Sequence, residues 1–152
     1  MNTKNSFKHI FKNQIIEDEV LEYILDWTKG YTFYTQYICN KLYVKKFKKI
    51  NIGSVKDVIL ETLTERDGVY YNYRKLLSHH QYKLLRAIAK ENRVKEPTSQ
   101  AFIKKYDLGN ASTVRKNLKA LLDKELVYDF SEEDKLRYEI YDVFLSRWLE
   151  RN

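Results

Sequence analysis

Proline, glycine, cysteine and histidine are all scarce in this chain, and each scarcity removes a class of explanation. One proline and four glycines in 152 residues, no low-complexity tract and long helical periodicity predict a mostly helical protein with little disorder. The glycines stand at 30, 53, 68 and 109, so neither G-x-x-x-x-G-K-[ST] nor G-x-G-x-x-G exists and no phosphate-cradling loop is present. A single cysteine, Cys39, excludes an internal disulfide and reads as a small buried apolar residue. His9, His79 and His80 provide no metal-ligand spacing. His79 and His80 adjoin no nucleophile-elbow serine or cysteine, and neighbours on a helix cannot face one site, so a helix start or surface suits them better. Neither a catalytic residue nor a metal site is predicted. No apolar run nears the roughly 18 residues that a membrane span needs. Met1-Asn2-Thr3-Lys4 lacks the apolar core of a signal peptide, so the expectation is a cytoplasmic protein with no membrane span.

What the chain does have is 43% apolar content, enough for a real core at this length. Its net charge of +7 invites a nucleic-acid reading, but the charge is spread evenly. Residues 1–77 hold 13 basic and 9 acidic side chains, and residues 78–152 hold 15 and 12, so neither half is a basic tail. The densest cluster, Lys41, Lys45, Lys46, Lys48 and Lys49, falls at the end of a predicted helix, where cations meet the negative end of the helix dipole. That is a solvated face before it is a binding patch.

Residues 1–77 read as three helices. The first, about Glu17–Thr28, buries Val20, Leu21, Ile24 and Leu25, carries Glu17, Asp18 and Glu19 in its first turn, and ends at Gly30. The second, about Thr32–Lys49, is apolar over a wide arc through Phe33, Tyr34, Tyr37, Ile38 and Leu42 and should be covered from two sides. The third opens with a capping-box-like Ser54-Val55-Lys56-Asp57 and keeps its apolar period to Leu77. At roughly 1.5 Å per residue it would form a rigid connector about 36 Å long, weakened by about 1 kcal/mol relative to alanine at Gly68, which leaves room for a break there. Within it, Val58-Ile59-Leu60-Glu61 looks like the strand and acidic residue beside a nucleotide loop, but the helical period argues against that.

Residues 78–152 carry a different order of elements. One helix presents Leu84, Leu85, Ile88 and Ala89, a second Phe102, Ile103 and Tyr106, and a third Val114, Leu118, Leu121 and Leu122. Two β-rich segments follow, Leu126–Phe130 and Leu136–Tyr141, around the polar turn Ser131-Glu132-Glu133-Asp134-Lys135. Three helices closed by a hairpin are the plan of a winged helix-turn-helix. The expected fold is therefore mainly α: a helical, lid-like subdomain with its connecting helix over 1–77, then a winged helix over 78–152 with the protein's one β-hairpin.

Several stretches also resemble a known family. Thr28-Lys29-Gly30-Tyr31-Thr32-Phe33-Tyr34-Thr35-Gln36-Tyr37-Ile38-Cys39 is similar to the T-x-G-x-P-x-Y-x-Q-x-x-C stretch that follows the P-loop core in archaeal and bacterial AAA+ ATPases in or near the signal-transduction ATPases with numerous domains. Gln81–Ala89, Pro97-Thr98-Ser99 and Ala111–Val114 resemble the winged helix that follows there, and Tyr141–Trp148 resembles the closing motif. Thr32 and Val143 stand where proline is usual, which leaves those turns without a fixed φ. The resemblance implies a C-terminal region whose Gly30, Tyr31 and Thr32 lie near the nucleotide in the intact enzyme. ATP and Mg²⁺ would be bound by a P-loop domain upstream of Met1. This chain alone would not hydrolyse ATP; it would couple nucleotide state to a DNA or protein partner.

For DNA the third helix of the winged module matters most. With Val114, Leu118, Leu121 and Leu122 inward, Ser112, Lys116, Lys119 and Asp123 point outward and Thr113 and Arg115 lie at the flanks. Such residue types read base edges and phosphates, while Asn110 suits the N-cap better than a base contact. The wing argues the other way, because Glu132, Glu133 and Asp134 at its tip repel phosphate. The thirteen tyrosines suggest a single-strand stacking platform, but Tyr34, Tyr37, Tyr70, Tyr73, Tyr82, Tyr106, Tyr138 and Tyr141 sit on core-periodic or strand positions, leaving Tyr71 the most exposed. Trp27 and Trp148 read as core closures. A stand-alone winged-helix regulator, dimerising through its first three helices, and a protein-interaction scaffold remain as alternatives; the oligomeric state is left open.

Overall fold

A computed structural model describes residues 8–11 and 13–152. The reading of Met1-Asn2-Thr3-Lys4 falls outside them. The chain divides into two compact units, Met1–Arg66 and Asp67–Asn152. No helix of the described residues is long and apolar enough to cross a membrane, and no group of His, Cys, Asp or Glu among them has the arrangement of a metal site.

Among the described residues the first unit holds a short 3-10 helix, His9–Phe11, and three α-helices, α1 (Asp18–Trp27), α2 (Thr32–Val44) and α3 (Ile52–Thr64). Val20, Leu21 and Ile24 of α1 share a core with Ile38, Cys39 and Leu42 of α2 and with Val55, Val58 and Leu63 of α3. Asp18 and Glu19 stabilise the positive end of α1. Its other end closes through left-handed Lys29 and Gly30, with the Gly30 N–H on the Leu25 carbonyl at 2.8 Å and the Lys29 N–H on that of Asp26 at 3.2 Å. The buried hydroxyls of Thr28 and Thr35, 2.7 Å apart, then tie that end to α2.

Four expectations for this unit need correction. First, α2 ends at Val44, not Lys49, because Lys46 turns to a φ of 53° and the chain leaves the helix. Second, Lys49–Ile50 (β2) pairs in parallel with Ile15–Ile16 (β1), so the hairpin is not the only sheet. Third, Asn51 rather than Ser54 caps α3, accepting the Ser54 N–H at 2.9 Å. Fourth, the wide apolar arc of α2 is only half used. Phe33 is 66% exposed, and the buried stripe runs through Thr35, Ile38, Cys39 and Leu42. Trp27 is half-buried rather than a core closure. Three lysines of the cluster are paired: Lys41 meets Glu65 at 2.6 Å, Lys45 meets Glu61 at 2.7 Å and Lys49 meets Glu17 at 2.6 Å.

The single connecting helix expected over Ser54–Leu77 is two helices. After α3 the chain turns at Glu65 and Arg66, two residues before Gly68, and restarts as α4 (Asp67–Leu76). A continuous apolar period cannot reveal this break, since each segment keeps its own buried face. The unit boundary accordingly lies at Arg66/Asp67 instead of 77/78.

The second unit adds α5 (His79–Glu91), α6 (Gln100–Tyr106), α7 (Ala111–Asp123), strands β3 (Val127–Glu132) and β4 (Lys135–Ile140), and α8 (Val143–Arg151). Each helix after α4 has a side-chain N-cap. Ser78 and Gln81 form a reciprocal capping box on α5, Ser99 caps α6, Asn110 caps α7, and Asp142 accepts the Phe144 N–H at 2.8 Å to start α8. His79 and His80 are exposed at the start of α5. The core is built from Leu84, Leu85 and Ile88 of α5, Val114, Leu118 and Leu121 of α7, and Phe144, Leu145, Trp148 and Leu149 of α8. Removing a fully buried side chain such as that of Trp148 costs about 3 to 5 kcal/mol.

Strands β3 and β4 pair antiparallel from Val127↔Ile140 to Glu132↔Lys135, which leaves a two-residue turn, Glu133–Asp134, shorter than the five residues expected. Both turn residues have positive φ, 51° and 59°, the requirement of the primed turns that match strand twist. Val94 bridges to Tyr138 on the other side of β4, its N–H and carbonyl each 3.0 Å from their partners.

Candidate nucleic-acid interface

The expected contact helix forms as α7, and its cap explains which residues it offers. Asn110 accepts the Thr113 N–H at 2.9 Å, which fixes the first turn and leaves the Ser112, Arg115, Lys116 and Lys119 side chains exposed, while Thr113 is half-buried. Asn117, unremarked in the sequence, is buried and returns its amide to the Thr113 carbonyl at 2.9 Å, stiffening that turn. Lys119 lies against Asp123 at 2.8 Å, four residues on, so part of its charge is already engaged. Arg115 and Lys116 have no carboxylate partner among the described residues.

Arg115 also faces the wing. With Leu118 it lines an open groove of about 1260 Å³, bounded further by Lys95, Pro97, Lys135 and Leu136. Lys95 and Lys135 are cations the helix-face argument passes over, because they lie on a loop and a strand. Lys135 is legible as a cation beside the wing tip, whereas Lys95 is brought beside the hairpin by the bridge from Val94 to β4.

The wing departs from its expected chemistry in two ways. Alternation puts Leu136, Tyr138 and Ile140 inward, yet Leu136 is 52% exposed while Arg137 and Glu139 are each 2% exposed. On that face Arg93 bonds Glu139 directly and is linked to Arg137 through their common acceptor Glu132. The Arg93 guanidinium lies over the Phe130 ring at 5.1 Å and donates from Nε to Glu139 Oε1 at 2.6 Å. Glu132, expected as a free acid at the tip, instead accepts from Arg137 Nε at 3.0 Å and from Arg93. The Arg137 hydrogen bond is the main reason its carboxyl is held below the usual range. The free acids of the tip are therefore Glu133 and Asp134. Tyr141, expected inward, is 67% exposed.

The residues expected beside a nucleotide, Gly30, Tyr31 and Thr32, lie in the first unit. Gly30 has a φ of 71°, Tyr31 is the N-cap residue of α2 and Thr32 its first exposed residue. The N–H groups of Lys29, Gly30 and Tyr31 are all spent on carbonyls at the end of α1, the last on Thr28 at 3.2 Å. Those three amides are not left to cradle a phosphate, whereas the N–H of Thr32, the first residue of α2, has no backbone carbonyl partner among the described residues.

Comparison with known proteins adds one match. No curated protein and no solved structure matches the chain. Residues 68–151 match the model of the family described as a probable winged helix domain, a span that begins within α4 and ends within α8. With a cap-defined three-helix cluster, a hairpin wing and a third pairing strand position at Val94, the chain belongs to that winged-helix family.

Proposed function

We propose that the winged-helix unit engages double-stranded DNA through the solvent face of α7, with Ser112, Arg115 and Lys116 as its principal contacts and Lys119 as a weaker one. The observation that carries this reading is the pair of unpartnered cations, Arg115 and Lys116, on the first half of a helix whose opposite face is locked into the core by Val114, Leu118 and Leu121. Arginine and lysine at such positions pair with guanine edges or phosphates in the major groove. So few contacts make weak binding at physiological salt, which suits a module delivered to DNA by something else.

The larger setting we propose is the C-terminal region of a P-loop ATPase of the AAA+ type, in which nucleotide state elsewhere moves this module. ATP and Mg²⁺ belong to a domain outside this sequence, and no residue here acts on them. The support is the resemblance of the Thr28–Cys39 stretch and the order of the motifs after it. A reading frame upstream that contains no G-x-x-x-x-G-K-[ST] would sink that setting and leave a stand-alone regulator.

The DNA reading is tested by fluorescence anisotropy of a labelled duplex at two salt concentrations, with the wild type and with Arg115→Glu plus Lys116→Glu. Salt-dependent binding lost in the double variant is expected. No salt-dependent binding, or binding unchanged by the substitutions, refutes it; absence of binding favours a protein partner, the reading to which the exposed acids Glu133 and Asp134 incline.

A further inference from the structure

On the side of the wing away from Val94 the hairpin has an open edge. Tyr138 spends both its backbone N–H and its carbonyl on Val94, and its ladder partner on β3 is Asp129. In an antiparallel pair the residues alternate between those bonded to each other and those bonded outward. The backbone groups of Asp129, and by the period of two those of Val127 and Ser131, therefore point away from β4, and no backbone partner meets them among the described residues. Beside this edge lies a small cavity of about 350 Å³, lined by Leu122, Glu125, Val127, Tyr128, Asp129 and Tyr141.

Its chemistry is opposite to that of the chain. The net charge is +7, yet the cavity has no cation and two exposed carboxylates, Glu125 and Asp129, neither with an ion-pair partner among the described residues. Elsewhere in the same unit Glu91, Asp107, Asp123, Glu132, Glu139 and Glu150 are paired, while Glu96 and the wing-tip acids Glu133 and Asp134 are not, so what sets Glu125 and Asp129 apart is the cavity they share. The Tyr128 and Tyr141 rings stand edge to face, centroids 6.1 Å apart at 87°. Glu125 adopts a φ of 55° at the close of α7, where the Leu126 N–H reaches the Leu121 carbonyl at 3.1 Å and glycine is the usual occupant.

We infer that this edge is a docking site for a basic, extended peptide segment of a protein partner, which adds as a strand to β3 and places one Lys or Arg side chain between the Glu125 and Asp129 carboxylates and the Tyr128 and Tyr141 rings. Carboxylates supply charge-assisted hydrogen bonds, the rings supply cation–π attraction, and the outward backbone groups supply strand pairing. The site shares no side chain with the DNA contacts on α7 and stands or falls apart from them. Because the whole chain is cationic, a basic peptide gains nothing from the overall field, so binding reports the local site.

The test is an amide NMR titration of the isotope-labelled chain with the blocked peptide Val-Arg-Val-Arg-Val and with its glutamine counterpart. The arginine peptide is expected to produce saturable shifts at the Val127, Asp129 and Ser131 amides and the glutamine peptide none. Glu125→Gln with Asp129→Asn should weaken binding about tenfold or more, the loss of at least one charge-assisted hydrogen bond, while Lys116→Glu leaves it unchanged. Absence of saturable shifts, equal binding of the glutamine peptide, or an unaffected double variant overturns the proposal.

Discussion

The indole N–H of Trp148 donates to Asp67 Oδ1 at 2.6 Å, joining the last helix of the winged unit to the first residue of α4. Trp148 is 1% exposed, so its donor has no water to fall back on. Three residues further along α4, the Tyr70 hydroxyl donates to Asp142 Oδ2 at 3.0 Å, the same carboxylate that caps α8. Asp67→Ala should cost about 1 to 3 kcal/mol, the penalty of an unsatisfied buried donor. Asp67→Asn, which keeps an acceptor, should cost less. Urea denaturation followed by tryptophan fluorescence measures both, and equal stability of Asp67→Ala and wild type would show the bond to be idle.

The pairing of Lys119 with Asp123 predicts unequal lysines on α7. If DNA is bound there, Lys116→Ala should reduce the slope of log affinity against log salt by about 1 and Lys119→Ala by less. Asp123→Asn should strengthen binding by freeing Lys119 and removing a like charge. Anisotropy titrations at several salt concentrations distinguish the three variants, and identical slopes for the two lysine variants would contradict the pairing.

Acid should loosen the contact between α5 and α6. The Lys105 ammonium, 2.6 Å away, and then the Tyr106 hydroxyl hold the Glu91 carboxyl below its usual range. A carboxyl lowered on folding contributes stability that is complete above its unfolded value, about 4.3, and is lost as the pH falls through the lower folded one. Stability should therefore decline from about pH 5 towards pH 3, and Glu91→Gln should flatten part of that slope. Thermal melts across this range provide the measurement. An unchanged acid slope in the variant rejects the assignment.

Cys39 is fully buried, and loss of hydration pushes its thiol up to about 12. It should resist iodoacetamide at neutral pH in the folded chain and react fully in urea, read by mass spectrometry. Labelling of the native protein at the rate of a free thiol would show that the first unit opens readily.

The helices and the hairpin were legible because their signals are local. Val114, Leu118 and Leu121 declare the buried face of α7, and Asn110 declares its start. What could not be read depends on partners distant in sequence. Arg137 and Glu139 are buried in a network that includes Arg93, some forty residues earlier, which bonds Glu139 directly and meets Arg137 through Glu132, whereas alternation alone would have put Leu136 inward. The parallel pairing of Ile15 and Ile16 with Lys49 and Ile50 spans the whole of α1 and α2. The turn at Glu65 and Arg66 leaves the apolar period intact on either side. The exposure of the α7 cations follows from the apolar period, whereas the engagement of Lys119 by Asp123, four residues on, is a matter of side-chain geometry that the period does not fix.

That turn decides where the chain can be divided. Because Asp67 and Tyr70 supply the partners of Trp148 and Asp142, a fragment cut at the start of α5 would discard the acceptor of a buried indole together with an aromatic cover of α8. The shortest piece expected to stand alone thus starts at Asp67, eleven residues earlier than the Ser78 capping box invites.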